Sequence, residues 1–568
     1  MHVLGLNDGE YNSSAALIRN GTVVAGAPEE RFSRIKRTKQ FPKSSIEYCL
    51  SKCDLKLSEL DAIAQAWNPG AHWTQFNPFI SSNRVKREEY LYSVPDNLLN
   101  IGKRRVPSYT SMSFPKGYEL PELFFVNHHL CHAANAFYSS PFENAAIFTA
   151  DWRGETESAF FGVGKEKSIE KLSSKLLPNS LGLFYATYTQ ILGYKPDNDE
   201  WKVMALSAFE VDSRVEEKLI RETIRFTEDG WFELDQSYYK GMITDQPNLY
   251  TEKLFNLLQG STKLKGEEFT EWQYKVAKAM QTVAEDLAVH ALKWIHNKTK
   301  LNSITLGGGF FMNSVFNGKV KEKTPFTQVY VPFAPADVGN SIGSALYVSH
   351  EILGQERSYS RPSSYIGPSY SDNEILNSIL RRKIPYSKLI NPEKEITQLL
   401  LKDQIIAYFD GQMEFGERAL GNRSILADPR NKSIKDKINS IIKYRESYRP
   451  FAPICIVEDA SKYFQLTEHE EIQFMEKVIK IKENYKNSLA AVSHVDLSAR
   501  LQTLSKSDNP RLYNLLLEFE KYSGFPILLN TSFNINGEPI VCSPDDALNT
   551  FFNSGLETLV IGNFVIKK

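Results

Sequence analysis

Two histidines one helical turn apart are the first residues in this sequence whose spacing could do chemistry. His128 and His132 stand at i and i+4 in HHLCHAANAFY, so a helix sends both imidazoles off one face, a spacing that can hold one metal ion. Asp151 follows the apolar run AAIFTA, and Asp337 ends the stretch QVYVPFAP, read here as a strand. Two strand-end carboxylates and two imidazoles would make a mixed nitrogen and oxygen site with room for water or a ligand, suited to Fe(II), Mn or Zn. Packing or capping is the other use of such a histidine pair. Gly307, Gly308 and Gly309 follow SITL and precede Asn313 and Asn317. Glycine there lets backbone approach a ligand, and a helix N-terminus offers N–H groups to phosphate; a tight strand-to-helix turn would use the same residues.

The richest constellation lies further on, in GQMEFGERALGNRSILADPRN and KYRESYRP. Arg418, Arg423, Arg430, Lys443, Arg445 and Arg449 concentrate positive charge around glycines and prolines, which fits capture of an anion by guanidinium forks. Each basic residue taken singly reads as a salt-bridge partner; the cluster points to a ligand. Arg500 in HVDLSARLQT, and Ser532 and Asn534 after the apolar run FPILLN, add groups that bond phosphate or carbonyl oxygens.

These groups need elements to position them. The first 40 residues read strand, turn, strand, turn, strand, and ENAAIFTADWRGETESAFFGVG repeats the shape. With the glycine turn after SITL, this predicts a duplicated α/β domain closing over a nucleotide. Val276, Met280, Val283, Leu287, Ala291 and Trp294 recur at spacings of three and four, one face of a helix. The polar stretch GQERSYSRPSSYIG carries the expected domain boundary, giving 1–355, a linker 356–366, and 367–568. The 568 residues suit two to four domains, and 67 basic against 68 acidic side chains, a formal charge of −1, argue against a bulk grip on nucleic acid or anionic membrane. Five cysteines without paired metal-type spacing argue against a disulfide framework. With no signal-peptide pattern at the start and no apolar run near the roughly 20 residues of a membrane span, the expected location is the cytoplasm.

The sequence resembles the O-carbamoyltransferase family of nodulation-factor and antibiotic-tailoring enzymes over nearly its whole length. The resemblance rests on EERFSRIK, HHLCHAANAFY, LGYKPDNDEWKVMAL, LGGGFFMN, MEFGERALGNRSILADPR, ESYRPFAP, HVDLSARLQT and NTSFNINGEPIV. It implies an N-terminal domain similar to the universal tRNA threonylcarbamoyl-transfer protein, with an actin-like, sugar-kinase-like (ASKHA) duplicated fold. It implies a C-terminal α/β domain similar to threonylcarbamoyl-adenylate synthases (YrdC-like). The C-terminal domain of such enzymes makes carbamoyl adenylate from carbamoyl phosphate and ATP with Mg2+; the N-terminal domain transfers the carbamoyl group to a small-molecule acceptor. By this resemblance His128, His132, Asp151 and Asp337 hold a metal, typically iron. Gly307, Gly308, Asn313, Glu200 and Lys202 shape that domain's nucleotide pocket. Lys443-x-Arg445 and Ser532-x-Asn534 match the adenylate-synthase signature and, with Arg418, Arg449 and Arg500, bind carbamoyl phosphate and ATP. Lys36 matches a lysine facing the active site.

The departures from the family pattern bear on the acceptor. Tyr11-Asn12 stand where the family usually has His-Asp; a phenol and an amide are poor bases near neutral pH, so an amine acceptor enters beside a hydroxyl, with Glu10 the nearest substitute acid. Glu417 takes the place of a usual proline beside Arg418, Ala205 and Ser207 replace glycine and alanine, and Trp152 follows Asp151 where glycine is common. The segment from Trp67 to Tyr118, with His72, Trp73 and the basic run NRVKREEY, is read as an acceptor-lining insert or a surface excursion. A sugar-kinase-like phosphotransferase would leave the second domain's groups unused, and a nucleotide-binding protein without turnover would have no need of its arginines. Balanced charge and fused architecture disfavour tRNA as the acceptor. Oligomeric state is left open, a homodimer included.

Overall fold

The computed structural model of the chain describes residues 1–9, 12–71, 90–99, 120–240, 248–260, 269–443, 449 and 451–568. Tyr11, Glu10, Arg445 and most of the 67–118 insert lie outside the described residues. Two compact units divide the chain: Met1–Glu29 with Lys39–Pro362, and Glu30–Thr38 with Ser363–Lys568.

The first unit is built on two five-stranded sheets. One contains β1 (His2–Asn7), β2 (Ser14–Arg19), β3 (Thr22–Pro28), β4 (Ala62–Gln65) and β5 (Glu122–Phe125) in the order β3-β2-β1-β4-β5. The β1–β2 and β2–β3 pairs are antiparallel, whereas β1–β4 and β4–β5 are parallel. The other contains β6 (Asn144–Ala150), β7 (Glu157–Lys165), β8 (Ser168–Leu176), β11 (Ser303–Gly307) and β12 (Gln328–Tyr330) in the order β8-β7-β6-β11-β12. Again the first two pairs are antiparallel and the last two parallel. One topology thus occurs twice, the duplication that the repeated strand-turn-strand sequence predicts. A separate hairpin joins β9 (Ile224–Phe226) to β10 (Phe232–Leu234).

Central strands with both faces covered need near-continuous apolar sequence, and β6, NAAIFTA, is buried from its second residue onward. The helix Glu271–Thr299 buries Val276, Met280, Val283, Leu287 and Ala291, the face its periodicity predicts, and the Trp294 ring stacks on Phe161 at 5.3 Å. Between the helices His128–Tyr138 and Asn340–Tyr347, close approach depends on Gly343, where a Cβ would lie 1.9 Å from the Cys131 carbonyl oxygen.

The second unit is α/β as expected. Its strands are β13 (Ser387–Lys388), β14 (Ile406–Phe409), β15 (Arg423–Ala427), β16 (Ala452–Ile456), β17 (Val478–Lys480), β18 (Ser498–Arg500), β19 (Gln502–Leu504), β20 (Ile527–Ser532), β21 (Thr558–Ile561) and β22 (Phe564–Lys567). Eight of them form one mixed sheet, β13-β22-β21-β14-β15-β20-β16-β19, and β17 pairs with β18. All five cysteines are free.

Candidate functional site

In the first unit, His128 and His132 leave the first two turns of the helix His128–Tyr138. That helix is capped by a remote carboxylate: Glu155 accepts from the His128 N–H (2.9 and 3.1 Å) and the Asn68 N–H (2.8 Å). A carboxylate at a helix N-terminus meets both its orphan donors and its dipole. No sequence spacing pointed to Glu155. Asp151 follows β6, as expected. Asp337 does not end a strand: the strand stops at Tyr330, and Asp337 opens a 3-10 turn, Asp337–Gly339. Pro332 and Pro335 lack the N–H that a continuing ladder requires.

The four side chains converge. His132 Nε2 lies 2.9 Å from Asp151 Oδ2 and 3.3 Å from Asp337 Oδ1; His128 Nε2 lies 3.6 and 3.4 Å from the same oxygens and 3.0 Å from His132 Nε2. Adjacent ligands on bonds of about 2.0–2.2 Å stand roughly 3.0–3.5 Å apart, so these separations and the two-nitrogen, two-oxygen donor set fit a divalent transition metal. Burial alone would lower the His132 pKa, yet hydrogen bonds and charge from Asp151 and Asp337 raise it to about 9. Burial and the neighbouring Asp151 push the Asp337 carboxyl well up, whereas Asp151, against its own burial, is held well down by the two imidazoles. The two carboxylates favour positive charge on the imidazole between them, the electrostatic demand a cation would also meet. Asn340 Nδ2 adds a contact at 3.3 Å from His132 Nε2.

Gly307 and Gly308 sit where strand β11 meets this cluster. Gly308 has φ 95°, its N–H donates to Pro335 O at 2.7 Å, and a Cβ there would lie 2.2 Å from Ala150 O. Asn313 is committed locally: its Oδ1 caps the helix Ser314–Lys323 through Phe316 N, and its Nδ2 donates to Gln281 Oε1 at 3.0 Å. Lys202 pairs with Asp199 at 3.0 Å, and Glu200 accepts from Asp197 N. Asn12 adopts φ 49°, and its buried Oδ1 has no hydrogen-bond partner among the described residues.

In the second unit, Lys443 Nζ is within reach of four oxygens: Ser532 O at 2.5 Å and Oγ at 3.3 Å, Asn534 O at 2.8 Å and Oδ1 at 2.7 Å. Ser532 lies opposite Ser424 where β20 pairs with β15. The loop from β14 to β15 carries Glu417 and Arg418 and is pinned by Glu414, whose Oε1 accepts from the N–H groups of Leu420, Asn422 and Arg423 at 2.8–3.2 Å. Burial lowers the Arg418 pKa and Glu417 opposes the shift. Arg500 ends β18, and Arg449 accepts from Asn439 Nδ2 through its carbonyl.

Lys36 belongs to this second unit. Burial lowers its pKa; Glu30 opposes that, while Arg37, Arg31 and Arg449 add to it. The same segment enters the unit through Arg31, whose Nη2 donates to Gly416 O at 2.6 Å. Two members of the basic cluster are engaged within the protein. Arg423 is fully buried, stacks on Phe409 at 3.7 Å and donates to the carbonyls of Asp410, Gly411, Asn422 and Pro368. Arg430 pairs with Asp428 through Nε and Nη2.

Comparison with known proteins covers both units. The family model described as Carbamoyltransferase N-terminus matches residues 2–346, and that described as Carbamoyltransferase C-terminus matches residues 397–568. Nodulation protein NolNO of Sinorhizobium fredii is 34% identical over 98% of this chain and 79% of its own length. An uncharacterized Synechocystis protein, sll1178, is 32% identical over 100% of this chain and 97% of its own. The 3'-hydroxymethylcephem-O-carbamoyltransferase of Amycolatopsis lactamdurans is 25% identical over 86% of this chain and 92% of its own. Among solved structures, full-length HypF matches 63% of this chain and 47% of its own at 16% identity and a TM-score of 0.30.

Proposed function

From the premise that the chain belongs to the carbamoyltransferase family, we propose that it makes carbamoyl adenylate from carbamoyl phosphate and ATP in its second unit and transfers the carbamoyl group to a small-molecule acceptor in its first. The observation that carries the reading is the meeting of Lys443 with Ser532 and Asn534. Backbone and side-chain oxygens aim one ammonium at the end of strand β20, the kind of fixed positive charge that stabilises phosphate oxygens in nucleotidyl transfer. For atoms to balance, carbamoyl phosphate loses its phosphoryl group to water, a carbamate oxygen attacks the α-phosphorus of ATP, and pyrophosphate leaves. Arg418, Arg445, Arg449, Arg500 and Lys36 supply the further charge that two anionic substrates require.

In the transfer step the acceptor's oxygen or nitrogen attacks the carbamoyl carbon, the bond to AMP breaks, and the acceptor proton goes to a base. His128, His132, Asp151 and Asp337 would hold a divalent metal, iron by family resemblance, which when bound supplies positive charge beside the nucleotide. Gly307, Gly308, Asn313, Glu200 and Lys202 shape the pocket around it. Asn12 cannot accept a proton near neutral pH, which favours an amine as a second class of acceptor beside a hydroxyl.

The test is pyrophosphate release from ATP with and without carbamoyl phosphate, no acceptor added. Release that depends on carbamoyl phosphate, abolished in Lys443→Ala and retained in His128→Ala, is the expected result. Equal activity of the two variants overturns the site assignment, and no release from wild type overturns the carbamoyl adenylate reading.

A further inference from the structure

Glu417 carries a buried carboxylate that pairs with no other described residue by a hydrogen bond. Both its carboxylate oxygens are shielded from water, its own backbone N–H being the one donor beside them. Glu414, three residues earlier in the same loop, shows the contrast, with three backbone N–H groups on one oxygen. A desolvated carboxylate short of donors is costly; burial raises the Glu417 pKa and Glu30 adds to it, while the Arg418 charge, its own backbone N–H and Arg31 oppose.

Resting on the carbamoyl adenylate reading above, we propose that Glu417 accepts hydrogen bonds from the amide –NH2 of the carbamoyl donor and so selects it over acyl phosphates that have a methyl group there. The neighbouring Arg418 makes the pairing specific. In carbamoyl phosphate only three bonds separate the amide nitrogen from phosphorus, so adjacent residues can meet the N–H donors and the phosphate oxygens of one small molecule. The amino group of adenine is also an –NH2 donor, but it lies a base and a ribose away from the nearest phosphate and cannot be matched by adjacent side chains in this way. A site built to bond an N–H group rejects an analogue without it, because its own acceptor is left unpaired.

The full-length enzyme and its Glu417→Ala and Glu417→Gln variants are compared in pyrophosphate release driven by carbamoyl phosphate or by acetyl phosphate, with ATP or purine riboside triphosphate. In wild type, carbamoyl phosphate is preferred. Glu417→Ala should cut that preference about tenfold or more, the effect of losing one hydrogen bond to a charged group, with KM for ATP unchanged. Glu417→Gln, which keeps the shape and one acceptor oxygen, should retain part of the preference and guards against a folding defect in the alanine variant. An unchanged donor preference in both variants overturns the proposal while leaving the adenylate reading intact. Loss of discrimination between the two nucleotides, with donor preference kept, overturns it in favour of adenine. A wild type that releases no pyrophosphate with carbamoyl phosphate overturns both.

Discussion

Asp8 follows β1 and accepts from Gln65 Nε2 at 2.9 Å. Burial raises its carboxyl from 3.8 to about 7, the Gln65 hydrogen bond opposing. A folded-state pKa above the unfolded one means that the folded protein holds the proton more tightly. The stability this gives is fully present below 3.8, falls as pH rises, and is lost above about 7. Asp8→Asn removes the titration, so its stability, read from thermal unfolding, should gain on wild type between pH 5 and pH 8, by on the order of 2–4 kcal/mol at the upper end. A constant difference across that range would show that Asp8 does not titrate there. Residue type announces a charge, whereas its setting decides the use. Arg418 and Arg423 look alike in the sequence, yet one adjoins Glu417 while the other is fully buried on Phe409 with its donors on backbone carbonyls. Nothing local in the sequence separates them, because burial of Arg423 is set by Pro368 and Phe409, which approach only when the second unit folds.

Elements place the metal-type cluster, and β11 is the one that joins its two carboxylates. Gly308 at its end bonds Pro335 O, in the segment leading to Asp337, and lies against Ala150 O, beside Asp151. Gly308→Ala adds a Cβ 2.2 Å from that oxygen at φ 95°, a clash and a disfavoured conformation together. The variant should remain folded, its apparent stability lowered by about 2–4 kcal/mol, and bind less than a tenth of the metal taken up by wild type on reconstitution with Fe(II) or Zn(II), read by elemental analysis. Full metal content would mean that this turn does not hold the carboxylates in register. The histidine pair was legible because its spacing is a property of one helix. The repeated strand-turn-strand shape was legible too, since each unit is local, and the pairing of sheets that share one strand order completes it. The 3-10 turn of Asp337 was not, because an apolar run ending in prolines reads as strand until its partners are known. Glu155 left no trace, since its role depends on a loop returning to a helix start.

At the scale of the whole molecule, chain order and folded units part company. Residues 30–38, deep in the N-terminal half of the sequence, pack with 363–568. Arg34 donates to Ile540 O at 2.6 Å and Pro539 O at 2.9 Å, and Arg31 reaches Gly416 O. A motif-by-motif reading keeps Lys36 with its neighbours in sequence, because a linear boundary cannot lift nine residues out of one domain into another. The contacts carry a functional consequence. Lys36 shares its surroundings with Arg449 and Arg31, so its charge acts at the anion site proposed for the second unit. Lys36→Met, which keeps the length of the side chain and removes its charge, should lower pyrophosphate release driven by carbamoyl phosphate at least tenfold, through KM for carbamoyl phosphate or ATP, and leave metal content at the first unit's cluster unchanged. His132→Ala should do the reverse, losing metal while adenylate formation persists. Normal pyrophosphate release in Lys36→Met with a defect confined to carbamoyl transfer would return Lys36 to the chemistry of the first unit, despite the contacts that bind its segment to the second.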